Sequence, residues 1–329
     1  MTKKQSNVTM KDVAQEAGVA LGTVSKVVNG VPVGEFYRTR VEKAIAKLNY
    51  RVNNYARGLR NKQTNIIEVM VPDLVNPFFC SLVSHVRKEL SKRNVQMLLA
   101  TSNYDPEQEQ ACMIMGEQHM VDGIICLSYN PSLRVSEKIP LISIDRSLGS
   151  NIPCVSSDNY GGGRLAAQKL VENGCKNLAF FKIGSKLPNE PSKRKDGFVS
   201  ACEELGVPYT LKIVEDNVSY SVFREFLLEN MHDGKLPFDG IFCVTDYLAY
   251  QVMQFLTEMN IRVPEDIQII GFDGLRHFGN LELYCSTIVQ PLDKIAEACV
   301  TMLLDKQLGA APYLLCLPVS YACGGTTRT

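Results

Sequence analysis

Apolar side chains recur at helical spacing through the first fifty residues. Two short amphipathic segments meet at Gly18, and a third segment has the i, i+3, i+4, i+7 spacing of a buried stripe. The apolar positions are Val13, Ala14 and Ala17, then Val24, Val27 and Val28, then Val41, Ala44, Ile45 and Leu48. Thr9 can cap the first segment by accepting a hydrogen bond from the amide of Asp12, while the Asp12 carboxylate accepts one from the cap. The pattern predicts a helix-turn-helix closed by a third helix.

If the valine stripe of the second helix packs against the other helices, its opposite side faces outward. The outward positions are Leu21, Gly22, Thr23, Ser25 and Lys26. In a helix-turn-helix, such a face enters the major groove of DNA. Two short helices taken alone also fit a plain helical hairpin with no partner.

From Ile66 onward, short apolar runs alternate with helical stretches. The runs lie at 66–71, 95–100, 123–127, 141–144, 178–183, 240–244 and 267–272, and we expect each strand to be buried on both faces. Hydrophobic strands spaced by helices indicate parallel sheets covered on both sides, the doubly wound class. About 270 residues is large for one such sheet, so two lobes are expected. The predicted fold is a small all-α headpiece followed by a two-lobed α/β core.

The charge of the chain is unevenly distributed. Residues 1–62 contain twelve Lys or Arg and four Asp or Glu, whereas the whole chain has 35 of each kind. A basic segment in a neutral chain points to a polyanionic partner, because Lys and Arg near phosphates release condensed counterions. This favours DNA binding over the plain hairpin.

Composition and spacing weigh against several other classes. No apolar run approaches about 18 residues and the start does not have the pattern of a signal peptide, so we expect a cytoplasmic protein without a membrane partner. The eleven cysteines and four histidines show no metal-ligand or catalytic-triad spacing. Gly161–Gly163 lacks the dinucleotide-binding spacing. We therefore expect no cofactor, no metal and no catalytic residues. A cytoplasmic α/β protein or enzyme acting on a sugar or nucleoside is the alternative.

A series of short motifs gives the sequence a family resemblance. The motifs lie, beyond the headpiece, at 53–59, 71–73, 76–79, 121–125, 144–146, 158–159, 263–266, 271–273 and 290–291. In this order they resemble the lactose/galactose repressor family of bacterial transcription regulators, over nearly the whole chain. The resemblance implies a periplasmic-binding-protein-like core, but a periplasmic sugar-binding protein has no use for residues 1–60.

The resemblance also implies a domain plan and partners. It places a headpiece at 1–62, with a hinge helix at about 53–60, and an effector-binding and dimerisation core at 63–329. Lobe 1 would hold about 64–160 and 291–322, and lobe 2 about 161–290. The expected partners are double-stranded operator DNA, a small effector that is a sugar or sugar derivative, and a second copy in a homodimer. The expected function is a repressor whose operator affinity is controlled by that effector.

The resemblance assigns DNA contacts residue by residue. The candidates are Thr9, Leu21, Gly22, Thr23, Ser25, Lys26, Asn29, Tyr50, Asn53, Arg57 and Leu59. Leu59 matches the leucine that wedges open a minor-groove step. The chain departs from the family at Ala20, where Ser is usual and would cap the second helix. Leu21 and Gly22 offer little hydrogen-bonding readout of bases, so more reliance on DNA shape is expected.

The resemblance also assigns effector contacts. The candidates are Phe79, Arg146, Glu190, Arg194, Phe242, Asp246 and Asp273. Asp273 follows a strand, at the carboxyl end where open α/β sheets bind ligands, and Phe79 and Phe242 would supply apolar walls. Thr245 departs from the family's frequent Asn. For each charged candidate, an ordinary surface salt bridge is the alternative.

One helix carries a second apolar stripe with two interpretations. The stripe follows Asn76-Pro77 and consists of Phe79, Leu82, Val83, Val86 and Leu90. It fits a dimer seam and fits core burial equally well.

Overall fold

The structure is a computed structural model that describes residues 8–50, 64–119, 121–130, 132–149, 151–184, 189–215, 218–275, 277–278, 281–282, 284–305 and 313–328. The chain divides into two compact units after Thr64. The first unit is the headpiece and the second is the core.

In residues 8–50, the described part of the headpiece, three helices surround a small apolar core. They are α1 (Met10–Ala17), α2 (Leu21–Val28) and α3 (Glu35–Leu48). Val13, Val24 and Val41 are completely buried where the three helices meet. The amide of Asp12 donates to Thr9 Oγ1, and the amide of Thr9 donates to the Asp12 carboxylate at 2.7 Å. The predicted helix-turn-helix, its third helix and its capping box are therefore confirmed.

The core alternates strands and helices along the chain. In chain order it contains β1 (Ile66–Val71), α4 (Pro77–Lys92), β2 (Gln96–Thr101), α5 (Pro106–Gln118), β3 (Gly123–Cys126), β4 (Leu141–Ile144), β5 (Cys154–Ser157), α6 (Asn159–Glu172), β6 (Leu178–Ile183), α7 (Lys193–Leu205), β7 (Tyr209–Val214), α8 (Ser221–Glu229), β8 (Gly240–Cys243), α9 (Asp246–Glu258), β9 (Gln268–Asp273), β10 (His277–Phe278), β11 (Leu281–Glu282), β12 (Ser286–Val289), α10 (Leu292–Leu304), β13 (Leu314–Leu317) and β14 (Ser320–Ala322). A short 3₁₀ turn, Glu190–Ser192, precedes α7.

Among the described residues, twelve strands form two six-stranded sheets, one in each lobe, and β10 pairs with β11 in a separate two-stranded sheet. Lobe 1 has the order β13-β5-β4-β3-β1-β2, with every pair parallel. Lobe 2 has the order β14-β12-β9-β8-β6-β7, in which β14 alone is antiparallel to its neighbour. Together with the headpiece, this arrangement confirms the predicted fold class.

The seven predicted strands are all present, but burial on both faces is wrong for β2. This strand lies at the edge of its sheet, and only Ala100 within it is fully buried. The sequence prediction missed β5, β7, β10, β11, β12, β13 and β14. Among the described residues, no helix combines the length and the apolar content needed to span a membrane.

The apolar stripe of α4 packs into the core of lobe 1. Phe79, Leu82 and Val86 are at most 2% exposed, and α4 packs beside α10. The interpretation of this stripe as a dimer seam is therefore wrong, because its side chains already cover the sheet of their own lobe.

The chain crosses between the lobes three times. It passes from β5 into α6, from β12 through Gln290 into α10, and from β13 into β14. The first crossing follows Ser157 and the second follows Val289. The third was not predicted: residues 320–322, assigned to lobe 1 from the sequence, pair with β12 in lobe 2.

Glycines let the first crossing helix approach its neighbour closely. A Cβ on Gly163 of α6 would lie 2.0 Å from the carbonyl oxygen of Arg194, and a Cβ on Gly197 of α7 would lie 2.0 Å from that of Tyr160. Only glycine permits this backbone contact. Gly163 thus has a packing role, which holds the start of α7 and Arg194 against α6.

Candidate functional site

The outer face of α2 is open to solvent in the headpiece. Leu21 is 40% exposed, Gly22 and Lys26 are exposed, and Thr23 and Ser25 are half-buried. A Cβ on Gly22 would meet no atom within 4 Å. The face is therefore small and smooth at its N-terminal end and carries a positive charge near its C-terminal end, a surface that fits a DNA groove.

The remaining DNA-contact candidates differ in their surroundings. Thr9 is exposed at the cap of α1, and Asn29 is exposed at the end of α2, where its Nδ2 donates to the Ser25 carbonyl oxygen at 2.8 Å. Tyr50 is half-buried and packs against the headpiece core. Asn53, Arg57 and Leu59 lie outside the described residues. No side chain caps α2, because Ala20 occupies the cap position.

The core holds a cavity of about 420 Å³ between its two lobes. Its walls are the carboxyl ends of strands and the loops that follow them, the place where doubly wound sheets bind ligands. This size is within the usual range for small-molecule sites. The lining residues are Asn76, Phe78, Phe79, Tyr104, Pro106, Glu109, Tyr129, Asn130, Asp145, Lys182, Ile183, Gly184, Asn189, Pro191, Arg194, Val218, Tyr220, Val244, Thr245, Tyr247 and Asp273.

Arg194 is the central cation of the cavity wall. It is only 3% exposed, and its guanidinium stacks on the ring of Phe272 at 3.6 Å. Its Nε donates to Asn159 Oδ1 at 2.7 Å, and its Nη1 donates to the Val244 carbonyl oxygen at 2.6 Å. Burial lowers its pKa, although the carboxylate of Asp273 opposes this shift. These two hydrogen bonds and the stack on Phe272 hold the side chain rigidly. Neither bond uses Nη2, so that nitrogen can donate to a ligand.

Asp273 lies beside Arg194 at the end of β9. Its Oδ1 is 3.8 Å from Arg194 Nη1 and accepts a 2.8 Å hydrogen bond from Gln290 Nε2. Its Oδ2 is buried without a hydrogen-bond partner. The residue also has a φ of +132°, a conformation that L side chains rarely adopt. An unpartnered buried oxygen on a strained residue in a cavity wall is the pattern expected of a group that waits for a ligand donor.

Two further buried carboxylates lie near this pair. Asp145, at the end of β4, has a positive φ of 59° and accepts a 2.6 Å bond from Ser156 Oγ. Asp246, at the start of α9, accepts from the amide of Leu275 at 2.8 Å. Burial raises the pKa of Asp145, raises that of Asp246 to about 6, and raises that of Asp273 well above its usual range. The polar end of the cavity therefore has an excess of acceptors over cations.

The structure brings three of the seven effector candidates to the cavity. Phe79, Arg194 and Asp273 line it. Arg146 and Glu190 are partly buried but do not line this cavity, and Glu190 instead pairs with Lys193 at 2.8 Å.

Phe242 and Asp246 are corrections to the sequence assignment. Phe242 is completely buried in the lobe 2 core, where it contacts the rings of Phe180 and Phe198, so it cannot form a cavity wall. Asp246 is also completely buried, and its Oδ1 would lie 2.1 Å from a Cβ on Gly271. Its carboxylate lies beneath the cavity wall, and its neighbours Thr245 and Tyr247 line the cavity instead.

Sequence reasoning missed most of the polar and aromatic lining. Tyr104, Tyr129 and Asp145 follow β2, β3 and β4, so the rule that ligands bind at the carboxyl ends of strands could have found them. Tyr220 and Tyr247 had no comparable signal, because they belong to the start of helical segments. Across the described parts of the chain, no three His, Cys, Asp or Glu residues are grouped to hold a metal ion.

Known proteins resemble this chain in both units. Residues 9–53 match the bacterial regulatory proteins of the lacI family, and residues 167–313 match a periplasmic binding protein-like domain. The sucrose operon repressor of Streptococcus mutans serotype c is 34% identical over 304 residues, which cover 90% of this chain and 92% of that protein.

Solved structures extend the comparison. A periplasmic binding protein/LacI transcriptional regulator of Alkaliphilus metalliredigens, complexed with D-xylulofuranose, has a TM-score of 0.69 at 27% identity, over 80% of this chain and 100% of that chain. The lac repressor dimer bound to operator and the anti-inducer ONPF has a TM-score of 0.85 at 23% identity, over 98% of this chain and 100% of that chain.

A helix-turn-helix headpiece followed by a two-lobed core with a cavity between the lobes defines a class of DNA-binding transcription regulators. The chain belongs to the lacI family of bacterial regulatory proteins. It is accordingly a regulator of transcription and not an enzyme, and the predicted family is confirmed.

Proposed function

We propose that the protein is a cytoplasmic, homodimeric repressor that binds operator DNA and changes its affinity for that DNA when a sugar or sugar derivative occupies the cavity. The observation that carries the proposal is the unpartnered Asp273 Oδ2 beside the fixed guanidinium of Arg194. A sugar hydroxyl can donate to the first group and accept from the second, which a purely apolar ligand cannot do.

The names of the relatives support a sugar as the effector. One relative is a sucrose operon repressor, and one structural neighbour contains D-xylulofuranose. The aromatic side chains of the cavity wall suit the apolar faces of a sugar ring, while the carboxylates and amides suit its hydroxyl groups. In this proposal Phe79, Arg194 and Asp273 are the effector contacts retained from the sequence.

In this proposal, the two units of the chain have different functions. Residues 1–62 bind DNA, with α2 in the major groove and a hinge helix at about 53–60 carrying Leu59 to the minor groove. Residues 63–329 bind effector and form the dimer. A ligand that bridges both lobes favours one lobe arrangement, and the change in lobe position alters the distance between the two hinges of the dimer.

Titration of the full chain with sugars tests the proposal. Sucrose, fructose, glucose and ribose are added in isothermal titration calorimetry, and the binder is then added to an operator-DNA anisotropy assay. Asp273→Asn should weaken sugar binding by about 10- to 100-fold, because a buried hydrogen-bonding oxygen is lost. Asp293→Asn is the matched control, since the same change is made on an exposed residue of α10. Sugar binding that survives in Asp273→Asn would contradict the proposed site.

A further inference from the structure

The mouth of the cavity is lined by tyrosines from both lobes. Tyr104 and Tyr129 belong to lobe 1, and Tyr220 and Tyr247 belong to lobe 2; these four are called the rim tyrosines. Tyr104 is 51% exposed and Tyr247 is 37% exposed, whereas Arg194 is almost completely buried. The cavity therefore has a deep polar end and an outer aromatic end. Exposed aromatic rings grouped in a cleft mark a surface that binds something.

The rim tyrosines form one contacting pair in each lobe. The ring centroids of Tyr104 and Tyr129 are 5.9 Å apart at an angle of 32° between the planes. Those of Tyr220 and Tyr247 are 5.4 Å apart and nearly perpendicular, at 71°. Both pairs line the same cavity, one from each lobe.

The backbone that presents Tyr104 is strained. Asn103 has a φ of 51° and Tyr104 has a φ of 62°, so two consecutive residues other than glycine are left-handed. Asn tolerates this region because its short polar side chain can hydrogen-bond to the nearby backbone, which the long side chain of Tyr cannot do. Such strain persists where surrounding contacts hold it, and it concentrates at functional positions.

A backbone hydrogen bond holds the loop that carries Tyr104. The amide of Asn103 donates to the Pro72 carbonyl oxygen at 2.7 Å, and the next residue, Asp73, accepts the amides of Val75 at 2.6 Å and Asn76 at 2.7 Å. The loop after β2 is thus tied to the loop after β1. The Tyr104 ring packs on Tyr129 and is still 51% exposed, so a ligand can stack on it at a reduced cost of ordering.

We propose that the rim tyrosines form an outer subsite that binds the second ring of a two-ring sugar, while the first ring lies at Arg194 and Asp273. The inference rests on the proposed function, because it assumes that the cavity binds a sugar. The effector class is therefore a disaccharide or another glycoside with two rings. Tyrosine suits this subsite because its ring covers the C–H face of a sugar while its hydroxyl remains hydrogen-bonded at the wet mouth.

The test compares two-ring sugars with their single-ring counterparts. Sucrose and cellobiose are titrated into the full chain by calorimetry beside glucose and fructose, and the bound sugars are then titrated into rim variants. Tyr104→Gly removes the ring and relieves the strained φ, so the fold is retained. It should weaken binding of the two-ring sugar by about 3- to 10-fold and change single-ring binding by less than twofold. Tyr220→Ala should behave in the same way from lobe 2.

Tyr104→Phe is the matched control, because it keeps the ring and removes only the hydroxyl group. Its two-ring affinity should stay within threefold of that of the unmodified protein. Equal losses for one-ring and two-ring sugars in Tyr104→Gly, or no loss for either, would overturn the outer subsite. If two-ring binding resists the rim variants but disappears in Asp273→Asn, the proposed function stands and the subsite is wrong. If no sugar of the panel binds the unmodified chain, both are contradicted.

Discussion

Gln290 donates a 2.8 Å hydrogen bond to Asp273, and this bond joins the second lobe crossing to the floor of the cavity. The same side chain accepts from Ser157 Oγ, also at 2.8 Å, at the end of β5. A single amide therefore connects two of the three crossings with the carboxylate proposed to bind effector. A ligand donor that shifts the Asp273 side chain changes its hydrogen bond to Gln290, which lies in one of the segments that connect the lobes.

Replacement of Gln290 tests this connection. Gln290→Leu leaves Asp273 Oδ1 with only the Arg194 contact at 3.8 Å, so the free energy of unfolding should fall by about 1–3 kcal/mol. Sugar affinity should fall as well, because the carboxylate is no longer oriented. Ser157→Ala is the milder control, since it removes only the bond on the far side of the amide. Chemical denaturation and calorimetry measure the two effects, and unchanged sugar affinity in Gln290→Leu would contradict the connection.

A second prediction concerns Glu68, which is fully buried in the middle of β1. Neither carboxylate oxygen has a hydrogen-bond partner, and burial raises its pKa to about 7. The folded protein therefore holds this proton more tightly than the unfolded chain, whose pKa is near 4.5. The contribution of protonated Glu68 to the stability of the fold is fully present below pH 4.5 and is lost as the pH rises through 7.

Glu68→Gln should remove that pH dependence. At pH 8 the variant should be more stable than the unmodified protein by up to about 3 kcal/mol, and at pH 5 the difference should be small. Urea denaturation across this pH range measures it. Glu297→Gln, an exposed change on α10, is the control. A pH profile that Glu68→Gln leaves unchanged would show that Glu68 is not the titrating group.

The uncapped start of α2 gives a third prediction. Ala20 has an extended ψ of 148° but no side chain that can accept a hydrogen bond, in contrast to Thr9 at α1. Ala20→Ser should therefore stabilise the headpiece by about 1 kcal/mol and tighten operator binding, while Thr9→Ala should destabilise it by a similar amount. Thermal melts and operator titrations report both. A destabilised Ala20→Ser protein would mean that a serine cannot reach the amides of α2.

The fourth prediction uses the basic charge of the headpiece. The excess of eight positive charges in residues 1–62 should neutralise about six to ten phosphates in a dimer complex. Operator affinity should then drop by roughly 10³- to 10⁵-fold between 50 and 200 mM salt. Anisotropy titrations at several ionic strengths measure the slope, and an affinity that does not change with salt would exclude phosphate neutralisation.

The sequence predicted the strands that are apolar on both faces, because short runs of that kind are typical of strands covered by helices on both sides. It missed β7, where polar and apolar residues alternate at a sheet edge, and β5, which ends in two serines. The headpiece was predicted almost completely, since its core depends on local helical spacing and one capping box. The third crossing was not predicted, because β14 is only three residues long and its partner strand is distant in sequence.

The cavity was predicted less well than the fold. Asp273 follows its strand directly, so the rule for sheet ends identified it. Phe242 was misplaced because side chains in a strand alternate between the two faces of the sheet. Position 242 lies on a face that packs into the lobe 2 core and not on the cavity wall. Asp246 was misplaced by one position, since Thr245 and Tyr247 on either side of it line the cavity. How deeply a side chain at a helix start is buried, and which way it points, depends on tertiary packing that the spacing of residues does not encode.

The third crossing has a consequence for how the protein is made. Lobe 1 gains its outer strand β13, and lobe 2 gains its antiparallel edge strand β14, from residues 314–322. On the ribosome, neither sheet can be completed until this segment leaves the exit tunnel. Until then, β5 and β12 are unprotected edges able to pair with another nascent chain. The two lobes therefore mature together during synthesis, and chaperone dependence should be concentrated in the interval before this segment emerges.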